Sequence, residues 1–97
     1  MRPVNRKGAR ESSIVRSILK ALNAIPGVKA MKNHGGIYSV RGTPDITAVN
    51  RGKAIFLEVK RPGEKATPAQ IRQMELWTQA GARCAVVHSA DEAVALV

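Results

Sequence analysis

Three acidic residues stand apart in the otherwise basic residues 1–60 of this sequence. They are Glu11, Asp45 and Glu58, and Lys60 follows two positions after the last of them. Carboxylate oxygens suit Mg²⁺ or Mn²⁺, and clustered carboxylates repel each other unless a cation neutralises them or one is protonated. Cleaving a phosphodiester needs a metal ion that polarises phosphorus and activates water, and a cation that balances developing charge. Asp45, Glu58 and Lys60 could provide this chemistry.

Two predicted strands would bring these groups together. Residues 45–50 and 53–60 are apolar and alternating, and the turn at residues 50–52 joins them as an antiparallel hairpin. Because side chains alternate across a strand, Glu58 and Lys60 share one face, about 7 Å apart. Asp45 opens the partner strand and can approach Glu58 across the hairpin. For Glu58 and Lys60 alone, a surface salt bridge is the alternative explanation.

The remaining elements follow from periodicity and capping residues. A basic arm, residues 1–9, predicted to be mobile, precedes a helix with Ile14, Ile18 and Leu22 on one apolar stripe. A strand (28–32), a loop (33–44) and the hairpin come next. A helix capped by Thr67 with Gln70 in a capping box, a strand (83–88) and a last helix complete the chain. The order predicts an α/β fold with a small mixed central sheet flanked by helices, in a single domain of residues 1–97.

The charge of the chain restricts its partners. The 97 residues have a formal net charge of +9, which favours a polyanionic partner, with nucleic acid the first choice and an acidic membrane surface the second. No apolar run is long enough to cross a bilayer, and residues 1–13 lack the apolar block of a secretory signal. The lone Cys84 fits a reducing compartment, so a cytoplasmic location, in a phage host or bacterium, is expected.

Basic side chains near the acidic residues are candidates for DNA phosphate contacts. We single out Lys7, Arg10, Arg16, Arg41 and Arg61. Such contacts position DNA without reading its sequence, and together they predict a steep dependence of binding on salt. For any one of these residues, a role in solubility alone is the alternative. Tyr38, in the loop before Asp45, could contact substrate or simply pack.

Three segments resemble the virus-type replication-repair nuclease (VRR-NUC) domain, a branch of the PD-(D/E)xK nucleases. They are "GTPDI" (42–46), "FLEVKRPGEKATPAQ" (56–70) and "WTQAGARCAVV" (77–87). The resemblance covers a Gly-x-Pro-Asp turn, a Glu-x-Lys strand and a helix that begins near a Gln. It implies a restriction-endonuclease-like αβββαβ(α) core.

The resemblance also implies a set of metal ligands. Asp45 and Glu58 would bind Mg²⁺, for which Mn²⁺ would substitute, and the Val59 carbonyl would add a further oxygen. Glu11 would be another ligand, directly or through water. From the residues alone, Glu11 could equally be a carboxylate at a helix N-terminus, where the helix dipole favours it.

Two further roles follow from the same resemblance. Lys60 would be the catalytic cation, and Gln70 would orient groups of the site or a phosphate, although capping its helix could be its only role. Members of the wider superfamily often have a Tyr four residues after that Gln, whereas this chain has Met74. The phenolic hydroxyl that would make one orienting contact is therefore absent at position 74.

The function that the resemblance implies is that of a Mg²⁺-dependent DNA endonuclease. A homodimer would pair two sites, which suits branched DNA such as a Holliday junction, because resolving it needs two nicks. The alternative is a catalytically inactive or structural DNA-binding module. An archaeal-type junction resolvase would share the fold and the chemistry.

Overall fold

A computed structural model describes residues 6–34 and 40–97 of the chain, with side chains from residue 10 onward. Its helices are α1 (Arg6–Asn23), α2 (Pro68–Gln79) and α3 (Ala90–Leu96). Its strands are β1 (Val28–Lys32), β2 (Ile46–Asn50), β3 (Lys53–Val59) and β4 (Arg83–Val87). Over these residues, the predicted order of helix, three strands, helix, strand and helix is confirmed.

The first helix begins earlier than the sequence indicated. We expected the basic arm to reach residue 9, but α1 already includes Arg6. The apolar stripe that marks the helix starts only at Ile14, so the preceding basic turns gave no periodic pattern to recognise. The rest of the predicted arm, residues 1–5, lies outside the described residues, as does Tyr38.

The four described strands form one mixed sheet in the order β1-β2-β3-β4. The pairs β1–β2 and β2–β3 are antiparallel, and β3–β4 is parallel. Arg51 and Gly52 alone connect β2 to β3, with φ angles of 47° and 89°. Positive φ at both central residues is the requirement of the type I′ turn, which fixes the register of the hairpin.

The hydrophobic core lies between one face of the sheet, α1 and α3. Ile18 and Leu22 of α1 and Ile55 and Leu57 of β3 are almost completely buried there. The strand alternation that we predicted from the sequence is therefore confirmed: Ile55, Leu57 and Val59 face the core. This packing leaves Phe56 and Glu58 on the opposite face.

Helix α2 covers that opposite face loosely. Its Trp77 ring stacks on Phe56 with centroids 4.6 Å apart, yet no residue of α2 is buried. Thr67 and Gln70 form the predicted capping box at its N-terminus, with Pro68 in the first turn. The helix therefore begins at a fixed position beside Glu58.

No helix within the described part of the chain is long and apolar enough to cross a membrane.

Candidate active site

The hairpin register places Asp45 beside Glu58. Ile46 pairs with Leu57, so the residues that precede Ile46 and follow Leu57 are Asp45 and Glu58. The Val59 backbone N–H donates to Asp45 Oδ2 at 2.7 Å. A short hydrogen bond from a buried strand fixes the direction of the carboxylate. The expected approach of the two acids across the hairpin is thus present in the structure.

Asn33 fixes the backbone on the other side of Asp45. Its backbone N–H donates to the Asp45 carbonyl at 2.8 Å, and its Nδ2 donates to the Pro44 carbonyl at 2.9 Å. Thr47 completes this set of contacts, because its hydroxyl donates to Asn33 Oδ1 at 3.0 Å. Asp45 is therefore held by β3 through its side chain and by the end of β1 through its backbone.

Gly42 allows the loop before Asp45 to reach α2. It has a φ of +84°, and a Cβ at this position would lie 2.3 Å from the Ala69 carbonyl oxygen. Only glycine combines that backbone conformation with so close an approach. The predicted Gly-x-Pro-Asp turn thus joins the hairpin to the helix that bears Gln70.

Glu58 is a buried carboxylate with one satisfied oxygen. Its exposed fraction is only 2%, and it is the sole buried polar or charged residue in the described part of the chain. Gln70 Nε2 donates to Glu58 Oε1 at 2.9 Å. Glu58 Oε2 is also buried but accepts no hydrogen bond from the described residues. Such an oxygen is costly to bury unless a proton or a cation neutralises it.

The surroundings of Glu58 strongly favour its neutral form. Burial, a hydrogen bond that its acid form makes with the Asp45 carboxyl and the negative charge of Asp45 together raise the pKa of Glu58 to about 9. Lys60 opposes this shift, and the charge of Glu11 adds to it. Without a cation the Glu58 carboxyl is therefore protonated at neutral pH, because two carboxylates cannot share this space as anions.

Gln70 combines two structural tasks. Its Oε1 accepts from the Thr67 N–H at 2.8 Å, and its backbone N–H donates to Thr67 Oγ1 at 3.2 Å. Its Nε2 remains available and donates to Glu58. The two roles that the sequence left open for Gln70 are therefore compatible in one rotamer.

Lys60 immediately follows β3 on the side of Glu58. Its positive charge lowers the Glu58 pKa, so the two groups interact electrostatically. Its backbone N–H donates to the Val87 carbonyl at 3.0 Å, which continues the pairing with β4. A half-buried lysine beside two carboxylates is positioned to balance negative charge that accumulates there.

Glu11 lies on α1, within electrostatic range of Glu58. Its charge contributes to the raised pKa of Glu58, although less than Asp45 does. Since α1 begins at Arg6 and has no acidic residue in its first turn, the dipole explanation for Glu11 fails. Its direct or water-mediated ligation of a metal stays a prediction.

The acidic pair has the donors that a divalent cation requires. Among the described residues, no three His, Cys, Asp or Glu side chains are grouped as a complete metal site. Mg²⁺, however, is often held by one or two carboxylates together with water and substrate phosphates. The unsatisfied Glu58 Oε2 and the adjacent Asp45 carboxylate fit that requirement.

The described basic candidates line two cavities or lie exposed on α1. Arg10 and Arg61 line one cavity, between α1 and the segment after β3. Arg41 lines another cavity with Gly42 and Gln70, at the start of α2. Arg16 is exposed on α1. Arg61 Nε also forms an ion pair with Glu64 Oε1 at 3.2 Å, which partly neutralises the charge of Arg61. The Lys7 side chain lies outside the described residues, and phosphate binding by all five stays a prediction.

Sequence reasoning missed two residues that support the site. Asn33 follows β1 directly, opposite Asp45, and this extension of the strand register was the available signal. His88 follows β4, and its Nδ1 lies 3.0 Å from the Lys60 carbonyl oxygen. Nothing in the sequence separates His88 from an ordinary surface histidine, because the contact spans two elements that only the folded sheet brings together.

Comparisons with known proteins identify the chain as a nuclease-type protein and give its family. A solved structure described as a "VRR_NUC domain" superposes with a TM-score of 0.73 at 28% sequence identity, covering 90% of this chain and 92% of that one. "Putative nuclease p44" of Acyrthosiphon pisum secondary endosymbiont phage 1 is 36% identical over 83 residues, which are 84% of this chain and 86% of that protein. No family model matches the chain. The chain belongs to the VRR-NUC family.

Proposed function

We propose that this nuclease is a Mg²⁺-dependent endonuclease that hydrolyses DNA phosphodiester bonds at the Asp45–Glu58 pair. The observation that supports it best is the buried Glu58 Oε2, which accepts no hydrogen bond from the described residues and lies beside a second carboxylate. A buried carboxylate oxygen of this kind needs either a proton or a cation. A divalent cation would satisfy it and keep both carboxylates ionised.

Each residue of the pair's surroundings has a separate task in this proposal. Asp45 and Glu58 would hold the cation, with the Val59 carbonyl and Glu11 as further candidate oxygens. When bound, the cation would polarise the phosphate and lower the pKa of a water molecule. Gln70 orients Glu58 through the 2.9 Å hydrogen bond. The Lys60 ammonium balances charge that develops on the phosphate oxygens during attack.

DNA is the substrate that the charge distribution favours. The net charge of +9 attracts a polyanion, and Arg10, Arg41 and Arg61 line two surface cavities, one of which also includes Gln70, the partner of Glu58. Contacts of these side chains with phosphates would hold the backbone at the site without selecting a base sequence. Branched DNA is the proposed preferred form, since resolving a four-way junction requires two nicks at symmetric positions.

A homodimer would supply those paired sites. The surface that we assign to the second copy is the groove between α2 and β4, lined by Ile71, Met74, Cys84, Ala85 and Val86 among others. Ile71 is 46% exposed, and β4 is an edge strand of the described sheet. An apolar groove beside an edge strand favours burial against another chain.

A cleavage panel tests the proposed activity. Circular plasmid, duplex, flap and four-way-junction DNA are incubated with Mg²⁺ and the wild type, Asp45→Asn or Lys60→Ala. Lys65→Ala is the matched control, because Lys65 is an exposed lysine of the loop before α2. We expect each site variant to lose on the order of 100-fold in rate and the control to change little.

Two results would overturn the proposal in different ways. Full cleavage by both Asp45→Asn and Lys60→Ala would place the chemistry elsewhere. Tight DNA binding without cleavage by the wild type, with either Mg²⁺ or Mn²⁺, would instead identify an inactive DNA-binding module.

Sedimentation tests the proposed dimer. Ile71→Glu should convert a dimeric wild type to a monomer, because a carboxylate would be buried in an apolar interface. Val94→Glu on α3 is the control, since Val94 is exposed to a similar extent, 41%. A monomeric wild type that still cuts both strands of a junction symmetrically would contradict the dimer.

A further inference from the structure

The peptide unit that bears Lys60 is held from both sides by the end of β4. The Lys60 N–H donates to the Val87 carbonyl at 3.0 Å, and the Lys60 carbonyl oxygen lies 3.0 Å from His88 Nδ1. β3 itself ends at Val59. The His88 side chain therefore extends the restraint of the sheet by one residue, to the position from which the lysine side chain departs.

The chemistry of the two partners fixes the tautomer of His88. A backbone carbonyl can only accept a hydrogen bond, so the hydrogen must be on Nδ1. In the neutral ring this leaves Nε2 as an acceptor. The His88 backbone is fixed as well, because its N–H donates to Glu92 Oε1 at 3.1 Å and the preceding Val87 is buried.

We infer that His88 is a positioning residue that holds the Lys60 backbone so that the lysine ammonium stays beside the Asp45–Glu58 pair. This inference rests on the proposed function of Lys60. A lysine side chain is long and flexible, so the position of its ammonium group depends on how firmly its Cα is held. Misplacement of a catalytic group by about 1 Å can reduce a rate on the order of 100-fold.

The surroundings of His88 argue against a role in core packing. The residue is half-buried, and it lines an open cavity with Ser13, Ser17 and Asp91. Shortening or replacing the ring therefore leaves no cavity within the hydrophobic core, whose buried side chains are apolar residues of α1, the sheet and α3. What the ring contributes is the hydrogen bond to Lys60.

Two substitutions of similar shape isolate that hydrogen bond. In His88→Asn the side-chain amide can place a donor where Nδ1 lies, whereas His88→Leu has a similar shape without a donor. We expect His88→Leu to lower kcat on the order of tenfold with KM little changed, and His88→Asn to recover most of the rate. A fully active His88→Leu, or a His88→Asn as impaired as His88→Leu, would overturn the inference.

A double variant shows whether His88 acts through the lysine. If it does, adding His88→Leu to Lys60→Ala should cause no further loss of rate, because the group being positioned is already absent. If His88→Leu lowers the rate of Lys60→Ala by the same factor as it lowers the wild-type rate, the positioning role is contradicted. Circular dichroism and thermal unfolding confirm that each variant is folded before its rate is compared.

A measurement on the DNA-free protein separates this inference from the proposed function. ¹⁵N NMR of the His88 imidazole, recorded on the wild type at a pH where the ring is neutral, should show hydrogen on Nδ1 rather than Nε2. Hydrogen on Nε2 would overturn the contact itself. If the wild type shows the expected tautomer but cleaves no DNA, the proposed function is overturned and the role of His88 with it. If the wild type is active and His88→Leu is equally active, only the positioning role is overturned.

Discussion

The raised pKa of Glu58 predicts that the metal-free protein becomes more stable when this residue is neutralised. In Glu58→Gln the shape is kept, the side-chain oxygen can still accept from Gln70, and the new amide can donate to Asp45. The wild type at neutral pH must keep a proton on Glu58 when it folds, although the unfolded chain has released that proton, and Gln needs no such proton. Glu58→Gln should therefore be more stable than the wild type in EDTA at neutral pH, although it removes an ionisable group from the candidate active site.

The magnitude follows from linkage between protonation and folding. The pKa of Glu58 is about 9 in the folded chain, whereas the ordinary value of 4.5 applies in the unfolded chain. Between these values the folded state retains a proton that the unfolded state has released, so the wild-type free energy of unfolding falls as pH rises. At about 1.4 kcal/mol per pH unit, the loss by pH 7 is about 3 kcal/mol, an upper estimate.

The assay is thermal unfolding in EDTA at pH 5, 7 and 8.5. Glu58→Gln should melt on the order of 15 °C above the wild type at pH 7. The gap should shrink to about a quarter of that value at pH 5, because this pH is only half a unit above the ordinary Glu58 pKa of 4.5 and little of the linkage free energy has yet accumulated. Glu75→Gln is the control, because it removes an exposed carboxylate from α2 and so corrects for the change in net charge. Equal or lower stability of Glu58→Gln at pH 7 would refute the reasoning.

Three further predictions concern the support of the site and its substrate. Gly42→Ala should lower the free energy of unfolding by about 2–4 kcal/mol in urea denaturation, since its Cβ would clash with the Ala69 carbonyl at positive φ; a loss below about 0.5 kcal/mol would contradict this packing. Gln70→Leu should cost about 1–3 kcal/mol, because both the helix cap and the donor to Glu58 are lost, and unchanged unfolding would show that these bonds do not form. Arg10→Ala should reduce the slope of log Kd against log salt for DNA by about one, and an unchanged slope would remove Arg10 from the interface.

Local sequence patterns were sufficient to predict the elements that hold the site. The alternation in β3, the two-residue turn at Arg51 and Gly52 and the capping box of Thr67 depend on neighbouring residues, and all three are present. The start of α1 was predicted too late, because its first turns lack an apolar stripe. Helix starts without such periodicity depend on interactions that a sequence pattern does not contain.

Within the site, contacts between residues close in sequence could be predicted, and contacts between distant elements could not. Asp45 and Glu58 belong to one hairpin, so strand geometry alone indicated their approach. The burial of Glu58 and the contact between His88 and Lys60, 28 residues apart, depend on how α2 and β4 pack at the end of β3. Such contacts arise only when separate elements assemble, so the sequence allowed one carboxyl to be protonated but did not indicate how far burial would raise the Glu58 pKa.

Binding of Mn²⁺ tests most directly whether the Asp45–Glu58 pair is a metal centre. Electron paramagnetic resonance of free Mn²⁺, titrated with protein at pH 8 without DNA, measures binding without relying on catalysis. We predict a site that Mg²⁺ displaces in the wild type and that is lost in both Asp45→Asn and Glu58→Gln, while Glu75→Gln retains it. Binding of equal strength in Asp45→Asn and Glu58→Gln, or no Mg²⁺-displaceable binding in the wild type, would contradict the account.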